Sequence, residues 1–577
     1  MSLLTVVLVS AVGLFVAYHT YGSWLARLLR LDPCARTPAV ELRDDLDYLP
    51  LEPKSLLSQH FSAIAAAGPI VGPILAGVMF GWAPAILWII VGSIFIGGVH
   101  DFCALTASIR HQARSIAEVV REHMSRRSYV LFMLFVWFAL LYIIVAFTDI
   151  TASSFIGTLE LENGQKVSGG GIASSSILYL ILPVVMGFLL RFTRLGIGPA
   201  TIIFLPLVGL SIGAGQYLPV DVEGWLGGGE TRAHQVWNLA ILAYCFIASL
   251  VPVWALLQPR GHLGGYFLFL TLIGGSLGLM FGGEKVQYPA FTGWSTPKGE
   301  PLLPLLFITV ACGACSGFHA VIASGTTSKQ LRSESDAKLV GYGAMLMEGM
   351  VAVVSLCCVM RLTKDSPLLT STGGPKPNFL YAQGIGSFLS VLGVPTAFGV
   401  SFGLMAFTTF VYDTLDVCTR LGRYIIEELT GWRSRAGRAF AAVLTVGVPI
   451  PLLLRQNVDP SGKIVPAWRV FWNLFGASNQ LLAALTLLGV TVWLWRTRRA
   501  RWVLAVCGLP TILMYAMSMW ALLRIIRLEL SAGISANPVL WVAMILVTLA
   551  VLLIVDAVLA FVASRVRPSM PMPAASA

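Results

Sequence analysis

Eight ionisable side chains fall inside long apolar runs of this 577-residue chain: His100, Asp101, Asp149, His319, Glu348, Asp413, Asp416 and Asp556. A charge in the hydrocarbon region costs about 2.5–3.5 kcal/mol on insertion scales, so each needs a partner or a task. For a lone residue such as Asp556, a hydrogen bond to a neighbouring helix is reason enough. The others form a string of carboxylates and imidazoles at graded depth. Burial favours the neutral carboxyl, and imidazole titrates near neutrality, so such a string can take up and release protons. His100, Asp101, Glu348, Asp413 and Asp416 are therefore candidates for proton coupling and gating, with His319 beside them. Asp413 and Asp416 share one helix face, and Arg420 follows Asp416 by four, a spacing that allows an ion pair. Arg423 lies one turn further. This charged face reads equally as an intracellular gate or as a snorkelling pair at a helix end.

A second group of residues breaks helices or lines a polar path. Gly68-Pro69-Ile70-Val71-Gly72-Pro73 places two Gly-Pro steps in the middle of an apolar run. Proline removes intrahelical hydrogen bonds, and freed backbone groups at membrane depth are tolerated where protein or a water-filled cavity satisfies them. Discontinuous helices of this kind build midplane binding sites, with a half-helix N-terminus turned towards an anion. The expectation is a substrate carboxylate held at Gly68, Pro69, Gly72 and Pro73; a simple proline kink is the other reading. The run from Ser316 through His319 to Thr326 and Thr327 is rich in small and hydroxyl residues and is expected to form the facing wall. Asn479 and Gln480 add neutral polar groups. Cys312 and Cys315 make a CxxC in an apolar run with no second pair, which suits packing better than zinc or redox work.

Bilayer-spanning helices must position these groups. The chain is 56% hydrophobic and 12% charged, with mean hydropathy +0.80. About 15 runs reach the roughly 20 residues needed to cross a bilayer, and their unbroken apolar character excludes a barrel. The expected fold is all-α: a polytopic transmembrane bundle with discontinuous helices. We expect one transmembrane domain over residues 1–577, with accessory spans at 501–564 and a short cytoplasmic tail at 565–577. The first run lacks a basic segment before it and is expected to be retained. Of the 39 Lys and Arg, 27 fall on alternate loops that share one side. Basic loops stay in the cytoplasm, so the N-terminus is expected outside and the C-terminus inside. The net charge of +11 thus reflects topology rather than nucleic-acid binding. The nine cysteines imply no disulfide framework.

Absences narrow the function. There is no Walker A sequence, so ATP-driven transport within this chain is not expected. HExxH and G-x-S-x-G are missing, and the histidines lack metal-ligand spacing, so neither a metal site, a cofactor nor an enzyme is expected.

Six stretches resemble one family in order: Gln59–Pro73, Gly98–Asp101, Ala311–His319, Ser324–Gln330, Thr414–Arg420 and Phe475–Gln480. They are similar to the carbon starvation protein A family over about residues 50–500. The chain departs from the family pattern at Pro259-Arg260-Gly261-His262, where Pro-Arg-Asp-Tyr is expected. The resemblance implies a bacterial inner-membrane secondary carrier. Members are linked to peptide uptake in carbon-starved cells and to proton-coupled pyruvate uptake. Distant kinship with amino acid–polyamine–cation transporters implies a LeuT-like inverted-repeat core. The expected activity is import of a small carboxylate nutrient, a short peptide or pyruvate, with H⁺ as the co-transported ion. Na⁺ coupling and a membrane-embedded nutrient sensor stay open as alternatives. The expected partners are the small solute and the bilayer.

Overall fold

The computed structural model describes the chain except residues 45–47, 162–163, 228, 371–374, 433, 459–463, 532–537 and 567–577. The predicted tail beyond residue 566 therefore lies outside the described residues. Among the described residues, thirteen helices are long and apolar enough to cross a membrane, and the bent pair Pro53–Ile64 and Gly68–Phe80 makes fourteen, against about fifteen expected. The ninth predicted run is instead interrupted, as Leu302–Thr309 followed by Gly317–Ile322. Among the described residues, strands are confined to two short hairpins, Thr158–Glu160 with Lys166–Ser168 and Asn457–Val458 with Ile464–Val465. The all-α bundle with discontinuous helices is as expected.

Burial sorts the helices. The hydrophobic core is continuous from Leu3 to Leu553. Glu334–Met360, Thr396–Thr430 and Ala467–Arg498 are enclosed along most of their length. By contrast, Ile197–Leu226 and Pro538–Val562 present broad apolar faces outward, as helices bathed in lipid do. Glu348, Asp413 and Asp416 sit on two of these enclosed helices, whereas His100 and Asp101 lie on the less enclosed Trp82–Arg110.

Both interruptions follow from local sequence. The first helix bends by 48° at Ala65–Ala67, just ahead of Gly68-Pro69. Pro69 has no N–H to donate back across the gap, so the second half starts afresh. In the second interrupted helix, residues 310–316 are small, and the chain unwinds between Thr309 and Gly317. The two breaks pack against one another. A Cβ on Gly72 would strike the carbonyl of Thr309, and one on Gly68 would strike the Cys312 side chain. π-helical turns adjoin the buried ionisable residues: Ser93–Gly97 before His100, Ala323–Thr327 after His319, and Lys338–Gly343 before Glu348. Such turns rotate the helix register and are frequent at functional sites.

Candidate functional site

Three helices converge on one carboxylate. His100 and Asp101 lie on Gly98–Arg110, His319 on Gly317–Ile322, and Glu348 on Ala344–Met360. Asp101 accepts from His100 Nδ1 at 2.7 Å and from His319 Nδ1 at 2.8 Å. The other His319 nitrogen, Nε2, stands 3.1 Å from Glu348 Oε2. All four side chains are fully buried. Their arrangement is a chain of carboxylate, imidazole and carboxylate, in which His319 links two acids through its two nitrogens. Both Glu348 oxygens lack an aligned hydrogen-bond donor among the described residues. The 3.1 Å approach of His319 Nε2 is thus the polar contact that Glu348 makes.

A second buried cluster was not foreseen. Arg260 lies near the start of Leu257–Phe281 and is fully buried. Its Nε donates to Asp413 Oδ1 at 2.6 Å, and its Nη1 bonds Asp416 and Tyr244. Tyr244 also donates to Asp416 Oδ2 at 2.9 Å, and Ser62 Oγ donates to Asp413. The expected Asp416–Arg420 pair does not form. Arg420 instead donates to the carbonyls of Ala248 and Val251, each at 2.7 Å, and Arg423 pairs with Glu427. Tertiary geometry overrides the i,i+4 spacing because Arg260 reaches both aspartates at once, while Arg420 sits beside the unpaired end of Gly229–Leu250. Arg260 falls in the gap between two apolar runs and so reads as a loop residue; only the fold shows it buried.

The predicted binding residues are brought together, but in a closed state. Gly68, Pro69, Gly72 and Pro73 are buried against residues 309–313, ahead of the Ser316–Thr327 run expected to face them. None of them lines any of the larger cavities described here. Asn479 and Gln480 stitch the second break. Asn479 Oδ1 accepts from the Phe318 N–H at 3.0 Å, its Nδ2 donates to Ser316 Oγ at 3.0 Å, and Gln480 donates to the Phe307 carbonyl. Thr327 Oγ1 bonds His60 Nδ1 at 2.8 Å, and Thr326 donates to the Ile322 carbonyl.

The sequence carries the same pattern as a known family. The model for "Carbon starvation protein CstA" matches residues 2–369 and 364–521. The chain belongs to this family. The match extends beyond both ends of the 50–500 core expected from motifs. A curated relative, "Peptide transporter CstA" of Helicobacter pylori strain J99, is 32% identical over 90% of this chain and 81% of its own length. "Pyruvate/proton symporter BtsT" of Escherichia coli K12 is 31% identical over the same shares. Among solved structures, a manganese transporter mutant from Eremococcus coleocola aligns over 91% of this chain and 99% of its own, with 14% identity and a TM-score of 0.41.

Two vestibules flank the closed centre of this family member. At the end that carries the basic loops, a cavity of about 760 Å³ is lined by Arg114, Arg121, Lys329, Arg438 and Glu427. It reaches Val321 and Ser324, within about a turn of His319. At the opposite end, a cavity of about 480 Å³ is lined by His234, Lys376, Asn378, Trp468 and Arg469. Asp149 sits just beneath it, accepting from the Trp468 N–H at 2.9 Å with His234 Nε2 3.6 Å away, which ties three helices together. Asp556 accepts from Ser128 Oγ at 3.1 Å, the interhelical bond that a lone carboxylate calls for. On the basic face, His111, Glu122 and His123 bring potential ligand atoms within 4.8 Å of one another despite their sequence spacing. The two imidazoles bond each other through Nε2 at 2.9 Å.

Proposed function

We propose that this chain is a secondary carrier that imports a small carboxylate nutrient, pyruvate or a short peptide, together with protons. One observation carries the reading: the fully buried Asp101–His319–Glu348 chain, shared among three helices and placed between the two interruptions and the basic-end vestibule. A carboxylate with no aligned donor in such a place binds a proton reversibly, and its charge state alters how the three helices hold together. The vestibule linings mix charges, Arg114, Arg121, Lys329 and Arg438 with Glu118, Glu427 and Glu428 at one end and Lys376 and Arg469 with Glu230 at the other, a small basic excess that admits an anionic solute. Relatives described as a peptide transporter and a pyruvate/proton symporter support both the substrate class and the coupling ion. The substrate's place is between the two breaks, which must part to admit it, with His100, Asp101, His319 and Glu348 carrying the proton.

The chain is placed in a bacterial inner membrane as a single transmembrane domain, with the N-terminus outside and the C-terminus inside. The basic end then faces the cytoplasm. No resident cofactor and no catalytic step belong to this reading. Counterflow of labelled pyruvate and of dialanine in proteoliposomes, with and without a pH gradient, tests it. Accumulation driven by an inward proton gradient is the expected result. Uptake that persists without that gradient but requires Na⁺ would reassign the ion, and binding without flux would make the protein a sensor.

A further inference from the structure

The carrier reading leaves two buried charge clusters without a stated connection. His60 lies between them. It sits on Pro53–Ile64, the first half of the first interrupted helix, and is 1% exposed. Its Nδ1 shares a proton with Thr327 Oγ1 at 2.8 Å, while its Nε2 is buried and has no partner among the described residues. An unmet imidazole nitrogen in this setting needs a reason, because burying a polar group without a hydrogen bond is costly.

A small cavity supplies that reason. It measures about 20 Å³ and is bordered by His60, Gln59, Thr326, Thr327 and Asp413. That volume holds one water, and the lining offers the two to four polar partners a buried water needs. Asp413 is the aspartate bound to Arg260. His60 is also within electrostatic reach of Asp101 and His319. The helix of His60 packs against the helices that carry Arg260, Asp413 and Asp416 and also against those that carry His319 and Glu348. Two further ionisable groups on packed elements are engaged elsewhere: His262 with Thr201 and Lys338 with Ser23.

Charge counting shows why a link matters. Arg260 balances only one of its two aspartates, so the cluster is neutral once Asp413 or Asp416 holds a proton. Likewise a charged His319 balances only one of Asp101 and Glu348. In a low-dielectric interior a net charge is disfavoured, so each cluster retains a proton that can be passed on.

We propose that His60 is the proton relay between the Asp101–His319–Glu348 chain and the Arg260–Asp413–Asp416 cluster, with one water in the intervening cavity as the link. In each passage one proton joins one ring nitrogen and another leaves from the opposite nitrogen. On one side it passes through the Thr327 hydroxyl, and on the other through the water to Asp413, so the imidazole is neutral before and after. The inference rests on the proton-coupled reading above.

The test uses full-length protein in proteoliposomes with an internal pH dye, and pyruvate and dialanine as probes. His60→Gln keeps a hydrogen-bonding side chain but cannot relay. Labelled-substrate counterflow should stay near wild type, while substrate-driven proton influx should fall by about 100-fold. Equal proton influx in His60→Gln and wild type overturns the relay. Loss of counterflow and influx together, in a variant that melts as wild type does, also overturns it and makes His60 a structural residue. If His60→Gln folds poorly, His60→Asn, which keeps a shorter hydrogen-bonding amide at the same place, is read in the same way. Wild type that moves neither probe with protons refutes the carrier reading itself, and the relay with it.

Discussion

Arg260 Nε donates to Asp413 Oδ1 at 2.6 Å, and neither side chain meets solvent to any extent. A second aspartate, Asp416, shares the same guanidinium. Both carboxylates depend on one cation, so its removal strands them. Arg260→Met should destabilise the folded protein by about 3–5 kcal/mol, the cost of leaving a buried charge uncompensated. Thermal melting in detergent measures this. Arg420→Met, whose guanidinium caps carbonyls rather than a carboxylate, should cost less. An equal or larger loss for Arg420→Met would refute the assignment of Arg260 as the shared partner.

Close approach of the two breaks makes Gly72 a packing residue. Any Cβ there would collide with the Thr309 carbonyl, which is backbone and cannot swing aside. At a substrate-facing position Gly72→Leu would block binding and leave the fold intact; packed between the breaks, it disturbs the fold instead. Even Gly72→Ala should lower the melting temperature, at a cost of about 1–3 kcal/mol for overpacking, and Gly72→Leu should express poorly. Size-exclusion profiles and melting curves of the two variants decide. A monodisperse Gly72→Leu with wild-type melting would mean that the breaks part readily.

What could be read from sequence was the apolar run that carries each charge, not its partner. Apolar run length located the spans, because the bilayer imposes a minimum number of residues whatever the tertiary packing. The Gly-Pro steps announced the first break for a similarly local reason. The Asp101–His319 bond joins residues 218 positions apart, and nothing in either segment encodes it. Arg260 falls in the gap between two apolar runs and so reads as loop, although the helix Leu257–Phe281 carries it inside. Asn479 and Gln480 were legible as polar groups in an apolar helix. Their work of satisfying the second break appears only once Phe307 and Phe318 are seen beside them.

Acidification should loosen the basic face at His123. Burial first, then His111 and Arg496, pull its pKa down from 6.5 to about 3. The folded protein therefore resists a proton that the unfolded chain accepts. Stability from this residue is complete above about pH 6.5 and declines as pH falls from there towards 3. Melting curves of wild type and His123→Gln between pH 7.5 and pH 5 should diverge, with wild type losing more on acidification. Parallel curves would show that His123 is not the titrating group.

Glu348 offers the most direct test of coupling. It is fully buried, it lies 3.1 Å from His319 Nε2, and its oxygens have no aligned donor among the described residues. Glu348→Gln preserves shape and removes the titration. It also removes the second carboxyl facing His319, so the imidazole is held by Asp101 alone. A carrier whose proton site is fixed in the neutral form can still exchange substrate for substrate, because exchange needs no net proton movement. Accumulation against a gradient requires the proton to leave at the inner face, and in this variant it has no carboxylate to leave from. Counterflow in Glu348→Gln should therefore stay near wild type, while accumulation driven by the pH gradient should drop by about 100-fold or more. Substrate accumulation at the wild-type level would remove Glu348 from the proton path and leave the Arg260–Asp413–Asp416 cluster to carry it.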